Sequence, residues 1–158
     1  MKEYLTIDKT GWGDGQWQAE PDKVQWTDKE TGMPCLAVRN GTSGHWCGYV
    51  GVEAWHPLFK VHYDEAYDRL DCNVHGGLTF SESCEHGPED RAICHVPEPG
   101  QSDDVWWFGF DCNHSDDLAP AMVVFESSIY QMWEGTYRDL DYVKGECATL
   151  ARALKEAR

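Results

Sequence analysis

Between residues 24 and 52, apolar side chains alternate with polar or small ones in short runs separated by turn residues. Val24 to Trp26, Cys35 to Arg39 and Trp46 to Val52 each read as a strand, with Thr27 to Gly32 and Asn40-Gly41 as the turns. In the third run Trp46, Gly48, Val50 and Val52 share one face, and Cys47, Tyr49 and Gly51 share the other. The three runs predict an antiparallel meander. His56-Pro57 ends the pattern, and 57–70 suits either a short helix or a loop. Residues 72–80 (CNVHGGLTF) read as a further strand, with Val74, Leu78 and Phe80 on one side and His75 and Thr79 on the other. Gly76-Gly77 within it permits a bulge or a close backbone approach. Val105 to Phe110 is apolar at both parities, which predicts a central strand covered on both faces. Ala121 to Phe125 reads as another strand.

From Thr136 the period changes. Tyr137, Leu140, Val143, Cys147, Leu150 and Leu154 recur at steps of three and four, and Thr136 with Asp139 resembles a capping box. This predicts an amphipathic helix over 136–157. Residues 1–22 are loop-rich, and 81–104 form a long acidic loop with Gly and Pro. The expected architecture is a single α+β domain over 1–158, an antiparallel sheet covered on one face by the C-terminal helix.

Composition changes this picture in one respect. The net charge is −15, and branched aliphatic residues are scarce, a balance typical of disorder. Eight Trp, seven Tyr and five Phe compensate, so a folded core is expected to lean on aromatic rings. Trp106 or Trp107 is assigned to that core, while Trp12 and Trp17 fit core or surface. Charge is uneven along the chain. Between residues 71 and 137 Arg91 is the sole basic side chain, against 13 acidic ones. Such a segment repels nucleic acid and anionic membranes and attracts cations or basic protein surfaces. An anionic ligand would need Arg39, Lys60, Arg69 or a second copy of the chain. The seven cysteines include no C-x-x-C pair, and MKEYLTIDKT has no signal-peptide core, so a reducing cytoplasm is expected. Cys84 and Cys94 are expected as free thiols, bridging only under oxidising conditions.

Several constellations carry possible chemistry. Asp111, His114 and Asp117 follow the most apolar strand and offer oxygen and imidazole ligands for a divalent metal such as zinc. The same stretch is spaced like a calcium loop, but Asp116 stands where Gly is needed and Met122 where Glu is needed. His75 is a candidate acid–base group, with Gly76 and Gly77 letting a ligand approach. If strand 72–80 pairs with 105–112, His75 and Cys112 make a nucleophile–base pair oriented by Asp111. A D-C motif of this kind occurs in NlpC/P60 peptidases, but here no helix pattern follows Cys112 and the histidine order is reversed. Cys84, His86, Cys94 and His95 are an alternative structural zinc set. Trp46, Tyr49 and Trp107 are candidates for a pocket lining. P-loop, G-x-G-x-x-G, G-x-S-x-G and H-E-x-x-H signatures are absent.

The motifs HGGLTF (75–80), CHVPEPG (94–100) and WWFGFDCNHSDD (106–117), with CGYVGV (47–52) and YRDLDYV (137–143), resemble a protein family of phage and prophage genomes. The resemblance covers roughly residues 20–155 and implies a genomic context and the cytoplasm of a bacterial host, but no activity. It makes the first functional expectation a phage-type accessory binding protein, a host-defence antagonist that occupies a host protein or sequesters a small ligand. The alternative is a metal-dependent hydrolase centred on Asp111, His114 and Asp117 with His75. A third is an assembly domain whose motifs are all structural. Direct nucleic-acid binding and membrane insertion are not expected, and a homo-oligomer is compatible with all three.

Overall fold

The structure, a computed structural model, describes residues 1–126 and 135–157. Six strands form one sheet: β1 (Lys2–Tyr4), β2 (Lys23–Thr27), β3 (Pro34–Arg39), β4 (Trp46–Glu53), β5 (Phe80–Ser83) and β6 (Val105–Asp111). Every pairing is antiparallel, in the order β1-β2-β3-β4-β6-β5. Helices α1 (Tyr63–Arg69), α2 (Pro120–Glu126) and α3 (Leu140–Glu156) complete the α+β domain. Among the described residues no helix is long and apolar enough to cross a membrane.

The alternation read in β4 sets both faces. Trp46, Val50 and Val52 join Val24, Cys35, Ala37, Phe108 and Phe110 against α3, which buries Leu140, Val143, Cys147, Leu150, Ala151 and Leu154. Each buried Leu or Val there contributes about 1.5–3 kcal/mol. Gly48 allows the close approach: a Cβ at this position would lie 2.4 Å from the Phe110 ring and 2.9 Å from the Cys147 sulfur. Leu36, Tyr49, Val105 and Trp107 form a second, smaller core on the other face. The loop 84–104 covers it. Trp46, Tyr49 and Trp107 are therefore buried core residues, not a free pocket lining.

Four sequence expectations are corrected. Residues 72–79 are irregular and only Phe80–Ser83 pairs with β6, because Gly76 (φ +67°) and Gly77 (φ +81°) turn the chain in a way an extended strand cannot. Val74 and Leu78 enter the main core, whereas Phe80 packs against the second. Residues 120–126 are helix α2 and not a strand; Pro120 at its first position presets a helical φ, and this outweighs the preference of the Val pair for strands. α3 begins at Leu140, capped by Asp139, whose carboxylate accepts from the Tyr142 N–H at 2.8 Å. Thr136 instead bridges to Asp117. The first 22 residues contain β1 and two 3-10 turns (Thr10–Trp12 and Gln16–Gln18) that bury Trp12 and Trp17.

The acidic loop is also more ordered than its composition suggests. Cys84 and Cys94 form a disulfide, contrary to the expected free thiols. Their sulfurs are spent on each other, so Cys84, His86, Cys94 and His95 cannot form the zinc set; His86 is exposed and His95 packs on Trp107. Lys23, fully buried under the loop, donates to the carbonyls of Glu89, Ala92 and Cys94 at 2.5, 2.7 and 2.9 Å. Burial pulls its pKa down to about 8.

A network around Glu20 joins the N-terminal segment to the sheet and α3. Its Oε2 accepts from Arg39 at 2.7 Å, from the Trp46 indole at 3.2 Å and from the Tyr137 hydroxyl. Its Oε1 accepts from the Leu140 N–H at 3.0 Å. Burial works to raise the Glu20 pKa, but these four donors outweigh it and hold the carboxyl below the usual glutamate value. Its stabilising contribution is thus complete above the ordinary glutamate value and is lost as pH falls through the lowered one. Glu20→Gln should therefore cost about 2 kcal/mol at neutral pH. The gap to the unaltered protein should narrow steadily as pH falls below the ordinary glutamate value, which urea denaturation across an acid pH series would measure.

Candidate metal centre

Three separate segments bring the site together. The turn at His75-Gly76 supplies the first imidazole. The polar stretch after β6 supplies His114 and Asp117. Arg138, Tyr142 and Glu146, spaced four apart along the start of α3 and the residues before it, supply the supports. The bridge between Asp117 and Thr136 aligns the last two segments: Leu118 N–H donates to Thr136 O at 3.0 Å, and Thr136 N–H to Asp116 O at 2.8 Å.

Asp117 is the centre, its side chain 1% exposed. Oδ2 lies 2.7 Å from His75 Nε2 and accepts the His114 N–H at 3.0 Å; Oδ1 accepts from Arg138 Nε at 2.9 Å. Burial works to raise the Asp117 pKa, but the His114 N–H, His75 and Arg138 together hold it below the usual aspartate value. The ionised carboxylate only accepts, so His75 carries its proton on Nε2. In the neutral ring Nδ1 then accepts from the Tyr142 hydroxyl, 2.9 Å away. The His75 backbone N–H is held by Glu146 Oε2 at 2.7 Å.

His114 differs from these groups. Its side chain is 36% exposed, yet Nε2 is buried and has no hydrogen-bond partner among the described residues. The ring stands 5.2 Å from that of His75, centroid to centroid. One ligand atom each from His75, His114 and Asp117 lies within 4.8 Å of the others. Ligand atoms around a small tetrahedral cation sit roughly 3.3 Å apart at bond lengths near 2.0–2.1 Å. His75 and Asp117 are joined at 2.7 Å by a hydrogen bond that a cation would replace, spreading the pair slightly, while His114, the ring with a nitrogen uncommitted, would close in. Two imidazoles and a carboxylate are a donor set for zinc and for the other divalent transition metals. Asp117 has Arg138 as an outer partner. For His75 to ligate, Nε2 would give up its proton and its bond to Asp117, and Nδ1 would then donate to the Tyr142 hydroxyl.

The expected residues fall into this geometry unevenly. His114, Asp117 and His75 converge, with Gly76 against His114 and Gly77 against Tyr67. Asp111 stands aside: Oδ2 accepts from Thr79 at 2.9 Å and Oδ1 from the Asn113 N–H at 3.2 Å, leaving it 3.9 Å from His114 Nε2. Cys112 does not act with His75 as a nucleophile. Its thiol is buried and pushed well up by desolvation, and both His75 nitrogens are engaged elsewhere. Arg39 cannot serve an anionic ligand, because its guanidinium is buried and paired to Glu20. Arg138, Tyr142 and Glu146 were not singled out in the sequence; their signal is the polar stripe at four-residue steps beside the apolar one.

Comparison of the chain with family models, with curated proteins and with solved structures finds no match. The resemblance to phage proteins thus gains no support there.

Gly76 is a test of the packing. A Cβ there would sit 1.9 Å from His114 Nε2, and its φ is +67°. Gly76→Ala should destabilise the protein by about 1–3 kcal/mol through backbone strain and push the His114 ring out of place. Thermal unfolding and the His114 ring resonances in an NMR spectrum would show both effects.

Proposed function

We propose that the protein is a metal-dependent hydrolase whose divalent cation, of the zinc class, is held by His75, His114 and Asp117. The observation that supports this most is the convergence of those three ligand atoms within 4.8 Å around a buried His114 nitrogen that lacks a partner. Such a cation, bound by three protein atoms with a position left open, lowers the pKa of a coordinated water towards neutrality. The chain's own groups would do the rest. Arg138 and the His114 N–H fix the carboxylate. Tyr142 and Glu146 fix His75, and Tyr142, half-buried beside it, is placed to hold or pass a proton.

A second reading, the phage-type accessory factor acting on a host protein or small ligand, is favoured by a different observation. Glu82, Glu85, Glu98, Asp103 and Asp104 are all exposed on β5 and the loop over the second face.

Zinc titration followed by native mass spectrometry separates the two. The metal reading expects one ion per chain, at least a hundredfold weaker binding in His114→Ala, and an unchanged circular dichroism spectrum, since His114 is half-exposed. It also expects the bound ion to support hydrolysis of an ester or phosphoester reporter that His114→Ala loses. A protein that binds no ion, or a variant that binds as well as the parent, overturns it; binding without turnover removes the hydrolase and leaves a metal site.

A further inference from the structure

The loop over the second sheet face borders a cavity of about 210 Å³. Glu85, His86, Glu89, Cys94, His95 and Asp103 line it. It lies at the Val105 end of β6, away from the metal ligands that follow Asp111, and it does not depend on the metal reading.

His95 is its unusual member. The residue is only 7% exposed, and its ring packs edge-on against Trp107 at 5.4 Å between centroids. Neither ring nitrogen makes a hydrogen bond of ordinary geometry among the described residues, the backbone of Ser102 being the one group near enough to favour a proton on the ring. An unsatisfied buried polar group is costly, and such groups in a folded protein call for a reason. Burial is the main influence on its pKa and lowers it; nearby Lys23 also lowers it, while Ser102 and Asp103 act the other way. The ring is therefore neutral at physiological pH, with one nitrogen able to accept a hydrogen bond.

The rim has the opposite polarity to an anion site. Glu89 is partly committed, to Lys2 and Tyr4, and the Lys23 ammonium beneath the loop is turned into the three backbone carbonyls. Glu85, with one oxygen accepting the Ile93 N–H at 3.1 Å and the other open, and Asp103 remain as exposed carboxylates at the mouth. A small metal ion does not fit this arrangement, because among the described residues only His75, His114 and Asp117 bring ligand atoms close enough together. A larger cation, with N–H donors spread over several ångströms, matches an acceptor at the floor and carboxylates at the rim.

We propose that this cavity binds a guanidinium or primary ammonium group, accepted by His95 at its floor and by Glu85 and Asp103 at its rim. The group belongs either to an arginine or lysine side chain of a basic protein or to a free polyamine.

Titration of the intact protein at low salt with the peptide Gly-Arg-Gly and, separately, with spermidine tests this. The readouts are the His95 ring and Trp107 indole signals in NMR spectra. A saturable shift of both is expected with at least one probe. A response to the peptide alone points to a protein side chain, to spermidine alone to a polyamine, and to both to recognition of the cationic group itself. The double variant Glu85→Gln/Asp103→Asn should weaken binding at least tenfold. Glu82→Gln, an exposed carboxylate outside the cavity, should leave it unchanged. His95→Phe, which keeps an aromatic ring on Trp107, should abolish the response; if it unfolds, the double variant decides. No shift beyond that given by sodium chloride of equal ionic strength overturns the proposal, as does an unaltered affinity in the double variant or an equal loss in Glu82→Gln.

Discussion

The contact between Glu20 and Arg39 is where the N-terminal segment, β3, β4 and the start of α3 meet. Arg39 leaves β3 with a guanidinium shielded from water, its carbon 4.1 Å from the centre of the Trp46 ring. A charge buried this way is costly unless it is matched and hydrogen-bonded. The match is local and complete in sign: Glu20 and Asp22 face Arg39 and Lys9, with Lys9 and Asp22 2.7 Å apart. The aromatic walls explain how the cluster tolerates its dryness. A guanidinium is weakly hydrated and gains from a ring face, which an ammonium on a flexible stem does less well. Asp22 extends the same network to the backbone N–H groups of Thr6 and Ile7 at 2.7 and 2.8 Å, and so ties β1 to the rest.

The candidate site follows from that contact. Glu20 accepts the Leu140 N–H, one of the donors a helix start leaves without a partner, and a negative charge suits that end of the helix dipole. This sets the register of α3 over the sheet. Tyr142 and Glu146 then face the turn at His75, and Arg138 reaches Asp117. The site is an interlock between one helix and two irregular segments, of which the second has, among the described residues, only a short parallel bridge to Thr136 for a ladder. Asp117, with three donors on two oxygens, is the point at which those segments are pinned.

The parts of this structure legible in the sequence are those governed by period. The alternation at 46–52 gave both faces of β4, the double parity at 105–110 gave a strand covered twice, and the three-four steps from Leu140 gave the face of α3. What period could not convey was the irregular backbone. CNVHGGLTF alternates well enough to pass for a strand, yet its two glycines adopt positive φ and turn His75 towards α3. The segment AMVVF has strand-like side chains, and one proline ahead of it decides for helix. In the site, His75, His114 and Asp117 stood out because their types are ligand types. Asp111 stood out for the same reason, but Thr79 and the Asn113 N–H hold it in a different role. Arg138 and Tyr142 escaped notice because a polar residue near a helix looks like solvated surface until its partner is known.

The acidic middle of the chain has the same lesson in electrostatic form. A run with Arg91 as its lone base looks like a solvated, mobile loop. Two devices hold it instead: the Cys84–Cys94 disulfide, and the Lys23 ammonium, which binds backbone carbonyls and leaves the carboxylates to solvent. Gln25 adds a reciprocal pair with Val96, accepting its N–H at 2.9 Å and donating to its carbonyl at 2.7 Å. Because the backbone is what is gripped, the side chains of Glu98 and Asp103 stay exposed, and Glu85, which accepts the Ile93 N–H at 3.1 Å, keeps its second oxygen open. A loop ordered this way presents a fixed negative surface. A flexible loop of the same composition would have to lose conformational freedom on meeting a cationic partner, and this one has already lost it on folding.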